Sequence, residues 1–267
     1  VATWALDYLL AQGEPISAVL ILHLSPEDPR VQRALEQLSE AFAGDRYAGR
    51  PVSYRRLTLE SRGRALDAIS DAQEAESVWV LARDLVGELK RIGRRLHVCI
   101  AGGPRILALT LTNALMLQGD HRDRLWHLYT PRPFMEAARD GAILHAPPDA
   151  GVKLIPVPLA PLGAYFPQLQ ALARPQSPPP PGSLLDTMRC QAVWDHLKPR
   201  EREVLRVLAQ GPTLQEAAAQ LGIVLKTLDS HKTSILAECR AAWELPDDAH
   251  LTYYFLREKF GPWFTLT

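Results

Sequence analysis

Two stretches of this 267-residue chain place side chains and glycines where they could act on phosphate. In the first, Gly102-Gly103-Pro104-Arg105 follows the apolar run Leu96 to Ala101 and precedes a helical pattern from Ile106 to about Leu117. Glycine accepts left-handed backbone and lets a ligand approach the main chain, while a helix start offers unpaired N–H groups and the positive end of its dipole. An arginine beside it can add a bidentate phosphate contact. Gly102, Gly103, Pro104 and Arg105 are therefore candidate ligand-binding residues. The turn lacks the Gly-Lys-Ser/Thr of a Walker A loop and the third glycine of a dinucleotide fingerprint. Taken alone, it reads equally as a plain strand-to-helix turn.

The second stretch runs from Leu197 to Leu236. Pro199 suits the first position of a helix through Leu208, where its missing N–H costs nothing, and Gln210-Gly211-Pro212 ends that helix. Thr213 and Glu216 form a capping box for a second helix, whose small face Ala217-Ala218-Ala219 allows close approach. Leu221-Gly222-Ile223 is a tight turn, and a third helix runs from Val224 or Leu225 through Leu236. Leu225, Leu228 and Ile235, with Leu236, are expected to face the core. That leaves Lys226, Thr227, Ser230, His231, Lys232 and Ser234, with Thr213 on the second helix, for phosphates and base edges of double-stranded DNA. The competing reading is that these helices dimerise the chain or pack on its first domain.

Other chemistry finds less support. Cys99, Cys190 and Cys239 show no paired or metal-like spacing, and the eight histidines form no His-x-x-x-His pattern, so no metal and no cofactor is assigned. His23, His97 and His127 are expected to be packed or hydrogen-bonded. Arg83 to Arg95 reads as a solvated, charged helix face. A formal net charge of zero removes the simplest route to nucleic acid, a strongly basic surface, so any DNA affinity must come from local placement. With 47% hydrophobic residues, no apolar run of ~18 residues and no signal peptide, the expectation is a globular cytoplasmic protein without a membrane partner.

These sites need positioning elements. Ala2 to Leu10 has helical periodicity and stops at Gly13. Ile16 to Leu24 reads as a central parallel strand covered on both faces, and Val31 to Phe42 as an amphipathic helix. Val52 to Leu59 is expected as a strand, Gly63 to Ala75 as a helix, Leu125 to Tyr129 as a strand and Lys153 to Pro158 as a further apolar run. Alternation of this kind predicts an α/β fold, a Rossmann-like, mostly parallel sheet with helices on both faces. Arg174 to Gly182 is too proline-rich for helix or ladder. The domains are thus expected at 1–172 and 184–267, joined by a Pro-rich linker over 173–183, the second being a small all-α helix-turn-helix domain with a C-terminal helix.

Two resemblances sharpen this. Lys198 to Leu205, Glu216-Ala217-Ala218, Leu221-Gly222-Ile223 and Lys226 to His231 resemble the LuxR family of DNA-binding domains, with departures at Lys198, Val224 and Asp229. Leu10 to Ile16, His97 to Gly103, Asp123 to Leu128 and Leu154 to Leu159 are similar to CRISPR-associated Rossmann-fold (CARF) sensor domains. That resemblance implies a homodimer whose Gly102-Gly103 turns line a two-fold pocket for cyclic oligoadenylate, the tetra-adenylate ring being favoured. It also places the family's first strand before Val1. The combination implies a cyclic oligoadenylate-responsive, dimeric transcription regulator of type III CRISPR antiviral defence. An enzymatic alternative stays open, a metal-independent ring nuclease that uses its C-terminal helices to dimerise.

Overall fold

The computed structural model describes residues 1–172, 183–246 and 248–266. The chain divides into two compact units, Val1–Pro180 and Pro181–Thr267. Apart from Ser183, the linker expected over 173–183 lies outside the described residues.

The first unit opens with helix α1 (Ala2–Ala11), which ends where Gly13 turns left-handed at φ 80°. Strand β1 (Ala18–His23) follows, then α2 (Pro29–Ala41), capped by Asp28, whose Oδ1 accepts the Arg30 N–H at 2.7 Å. A two-residue-per-arm hairpin, β2 (Arg46–Tyr47) and β3 (Arg50–Pro51), leads into β4 (Ser53–Thr58), which pairs in parallel with β1, Ala18 opposite Ser53. A second small hairpin, β5 (Glu60–Ser61) and β6 (Arg64–Ala65), precedes α3 (Ala72–Arg91). Strand β7 (His97–Cys99), α4 (Arg105–Gln118) and β8 (Arg124–Tyr129) form a strand-helix-strand unit, β7 and β8 being parallel. After α5 (Arg132–Ala137), β9 (Lys153–Val157) pairs antiparallel to β8. Short helices α6 (Leu162–Tyr165) and α7 (Pro167–Leu172) close the unit.

Alternation along the strands builds two layers of core. Leu128 and Leu154 turn toward Trp4, Ala5 and Leu9 of α1, while Leu125 turns the other way, toward Ala82 and Val86 of α3 and Ala114 and Leu115 of α4. Leu6 of α1 packs instead with Phe42, Tyr47 and Val52, beside β1 and β4. Helix α1 therefore covers both strand groups, which are not hydrogen-bonded to each other.

Three expectations need correction. The helix expected over 63–75 is a hairpin and a cap: Arg62 and Gly63 take positive φ, and α3 starts only after Asp71, whose Oδ1 accepts the Glu74 N–H at 2.7 Å. Strand β1 is neither central nor fully enclosed: among the described residues it pairs with β4 alone, and its residues are half-buried throughout. The charged stretch after Arg83 is partly internal. Arg83 is buried against Asp84, and Lys90 Nζ reaches Asp123 at 2.8 Å and Asp120 at 3.0 Å, tying α3 to the loop before β8. Arg122 first, and Lys90 with it, outweigh burial and hold the Asp120 carboxyl well below the usual carboxylate range.

The second unit is all-helical: α8 (Leu184–His196), α9 (Pro199–Ala209), α10 (Leu214–Leu221), α11 (Leu225–Ala242) and α12 (Tyr253–Leu266). Its core gathers Val204, Leu205 and Leu208 of α9, Ala217 and Ala218 of α10, Leu228 and Ile235 of α11, and Leu256 and Phe260 of α12. The third predicted helix runs six residues past Leu236, because Cys239 and Ala242 continue its buried face against α8. Among the described residues no helix is long and apolar enough to cross a membrane.

Candidate functional site

The glycine turn stands at the C-terminal end of β7. Gly102 and Gly103 have φ of 79° and 71°, consecutive left-handed positions that only glycine fills without strain. Space is not the constraint, since a Cβ on Gly103 would meet nothing within 4 Å. Pro104 is the N-cap of α4 and supplies no side-chain cap, so the first turn of this 14-residue helix keeps N–H groups for an external acceptor. Arg105 is the first helical residue and is exposed, with no ion-pair partner among the described residues. All four residues predicted at this turn thus lie together on one open surface.

The helix-turn-helix is built by α10, the Gly222 turn and α11. Thr213 and Glu216 close a reciprocal box, Thr213 N–H donating to Glu216 Oε2 at 2.8 Å and Glu216 N–H to Thr213 Oγ1 at 3.3 Å. Gly222, at φ 63°, ends α10 in the left-handed conformation. On α11, Lys226, Thr227 and Ser230 are exposed, while His231 and Lys232 are half-buried. Asp229, which would repel phosphate if unpaired, is 2.6 Å from Lys232 Nζ, so the two charges offset each other. Ser234 stands apart from the groove-facing set, its hydroxyl donating to Glu201 Oε1 at 2.8 Å. Leu225, expected in the core, is 47% exposed, and Val224 before it is 69% exposed.

Sequence reasoning missed Glu201. It is buried, accepts the Lys198 N–H at 2.9 Å through its other oxygen, and so ties the start of α9 to α11. Lysine has no acceptor, so only this half of a capping box forms. Burial pushes the carboxyl upward, but the Lys198 N–H, the Ser234 hydroxyl and nearby Lys198 and His231 outweigh it and leave it below the usual range. A depressed carboxyl stabilises the fold fully above its unfolded value of about 4.3 and loses that contribution as pH falls through the lower folded value. Acid titration of the full chain, followed by circular dichroism, should show Glu201→Gln flattening the loss of helical stability below about pH 4.

Of the three histidines expected to be packed or hydrogen-bonded, His23 and His97 are, whereas His127 is exposed on β8. His97 stacks on Trp126 and accepts its indole N–H at 3.2 Å, and His23 Nδ1 lies 2.6 Å from Leu24 O. Burial raises all three thiols, Cys239 to about 12, which disfavours thiolate chemistry. Among the described residues no cluster of His, Cys, Asp or Glu could hold a metal ion.

An α/β unit with an open glycine turn, followed by a helix-turn-helix unit, defines a two-part DNA-binding regulator. Residues 1–188 match the family described as CRISPR-associated protein NE0113, and residues 195–240 match the bacterial regulatory proteins of the luxR family. The chain belongs to the CRISPR-associated NE0113 family and carries a LuxR-type DNA-binding domain behind it, which makes it a CRISPR-linked transcription regulator. No curated protein matches it.

Proposed function

We propose that the protein is a homodimeric regulator of the CARF type whose α/β units bind cyclic oligoadenylate and thereby set the placement of two helix-turn-helix units on DNA. The observation that carries this reading is the Gly102-Gly103 turn, two left-handed glycines before an uncapped helix and an unpaired Arg105. Exposed N–H groups and a guanidinium suit a ring of phosphodiesters, and a ring with two-fold symmetry suits a pair of identical turns. Ligand binding across such an interface changes the spacing of the DNA-binding units, the variable that matches a dimer to its half-sites.

Calorimetry on the full chain with cyclic tetra-adenylate and hexa-adenylate tests the reading. One ring is expected per two chains, recovered intact by chromatography. Gly103→Val, which forces a β-branched residue into left-handed backbone at roughly 1–2 kcal/mol, should weaken binding about tenfold. Absence of heat with both rings would remove the sensor role and leave the DNA-binding domain to be explained by another effector.

A further inference from the structure

The start of α11 is built in a way that folding alone does not repay. Its N-cap is Val224, which has no acceptor and makes no side-chain cap, where Ser, Thr, Asp or Asn would add about 1 kcal/mol. Val224 and Leu225 stand 69% and 47% exposed, side by side at the helix end that in a helix-turn-helix contacts base edges. Leu225 lines an open cleft of about 310 Å³ with Leu214, Lys226, Leu228, Asp229 and Lys232. Three leucines line it, together with two lysines and Asp229, which pairs with Lys232.

We propose that Val224 and Leu225 read thymine C5-methyl groups in the major groove, so that the operator carries A·T pairs beneath the start of α11. In that groove the methyl is the one apolar feature a base pair presents, and apolar side chains are its matching contact. Lys226 beside the patch favours a polyanion, the charge of Lys232 being offset by Asp229, and the luxR match over residues 195–240 spans Val224 and Leu225. The inference rests on the DNA-binding assignment and adds to it the base chemistry recognised. It also separates roles on one helix: Lys226, Thr227 and Ser230 supply polar contacts, while Val224 and Leu225 supply discrimination.

The test uses the full chain and a duplex selected by it from a random library. Replacing each dT of the selected site by dU removes only the methyl groups. By the transfer free energy of about one methylene, each lost contact should weaken binding roughly fourfold, read by fluorescence anisotropy. The double variant Val224→Ser, Leu225→Gln, checked for unchanged melting, should bind dT and dU duplexes alike. Equal binding of both duplexes by the parent protein would overturn the proposal. So would a variant that keeps the dT preference, or one that changes only the oligomeric state by light scattering, which would make the patch a subunit contact. Failure to select any duplex would overturn the DNA-binding assignment itself, an outcome distinguishable from the others.

Discussion

Replacing Trp4 with alanine should lower the stability of the α/β unit by about 3–5 kcal/mol, the range for deleting a buried tryptophan. Trp4 is 7% exposed, packs with Leu128 and Leu154, and lies 5.1 Å from the ring of Phe134. Its indole N–H donates to Ile143 O at 3.2 Å, so the variant leaves a part-buried carbonyl without that donor as well as a void. The effect is large because of where α1 sits. No ladder joins β1 and β4 to β7, β8 and β9, and α1 packs on both groups, Leu6 on one side and Trp4, Ala5 and Leu9 on the other. The ion pair of Arg95 with Glu14 at 3.1 Å also ties the starts of β1 and β7, but with Arg95 38% exposed it contributes little. Trp4→Phe, which keeps the ring and loses the hydrogen bond, should cost about 1 kcal/mol. Urea unfolding of the full chain, with the two units resolved as separate transitions, measures both. A loss below 1 kcal/mol for Trp4→Ala would show that the strand groups do not depend on α1.

Local chemistry was legible wherever a residue's type decides its backbone. The left-handed stops at Gly13 and Gly222, the box of Thr213 and Glu216, and the Pro199 helix start all follow from side chains acting within four residues. The strand-helix alternation was legible from hydrophobic period, and with it the α/β class followed by a helical domain. Most of what failed depended on partners beyond a residue's own turn. Residues 63–75 carry helical periodicity, but Leu66 N–H pairs with Leu59 O, so a hairpin competes successfully for the first part of the segment. The Arg83 to Arg95 stretch has the composition of a wet surface, and only Asp120 and Asp123, some thirty residues on, bring Lys90 inside. At the DNA-binding end, the spacing of Leu225 fits the core, yet its place at the first helical position turns it outward. That Gly102, Gly103, Pro104 and Arg105 stand together was legible because a single short loop holds them all. Glu201 was not, because its second partner, Ser234, belongs to another helix.

The luxR match ends at residue 240, but the physical unit does not. Phe260 of α12 is fully buried and surrounded by rings, with Trp263 at 6.0 Å, Trp243 at 6.2 Å and Phe264 at 6.4 Å. Asp186 of α8 accepts the Trp243 indole N–H at 2.9 Å and pairs with Lys259 at 3.0 Å, so α8, α11 and α12 are tied at one point. Arg202 and Arg206 stack over Trp194 at 5.4 and 5.2 Å, which binds α9 to α8 and places two cations on an aromatic face. Phe260→Ala should therefore destabilise the helical unit by about 3–5 kcal/mol, whereas alanine at exposed Tyr254 should stay within about 0.5 kcal/mol. Neither residue lies on α11, so the intrinsic contacts with DNA are unchanged. Binding should fall only as the folded fraction falls, apparent affinity dropping twofold at the temperature where half the variant is unfolded. Anisotropy titrations with the selected duplex across the thermal transition separate the two effects. If Phe260→Ala weakened binding well below its melting range, α12 would have to act on DNA through the placement of α11 rather than through stability, and the helix would count as part of the docking surface.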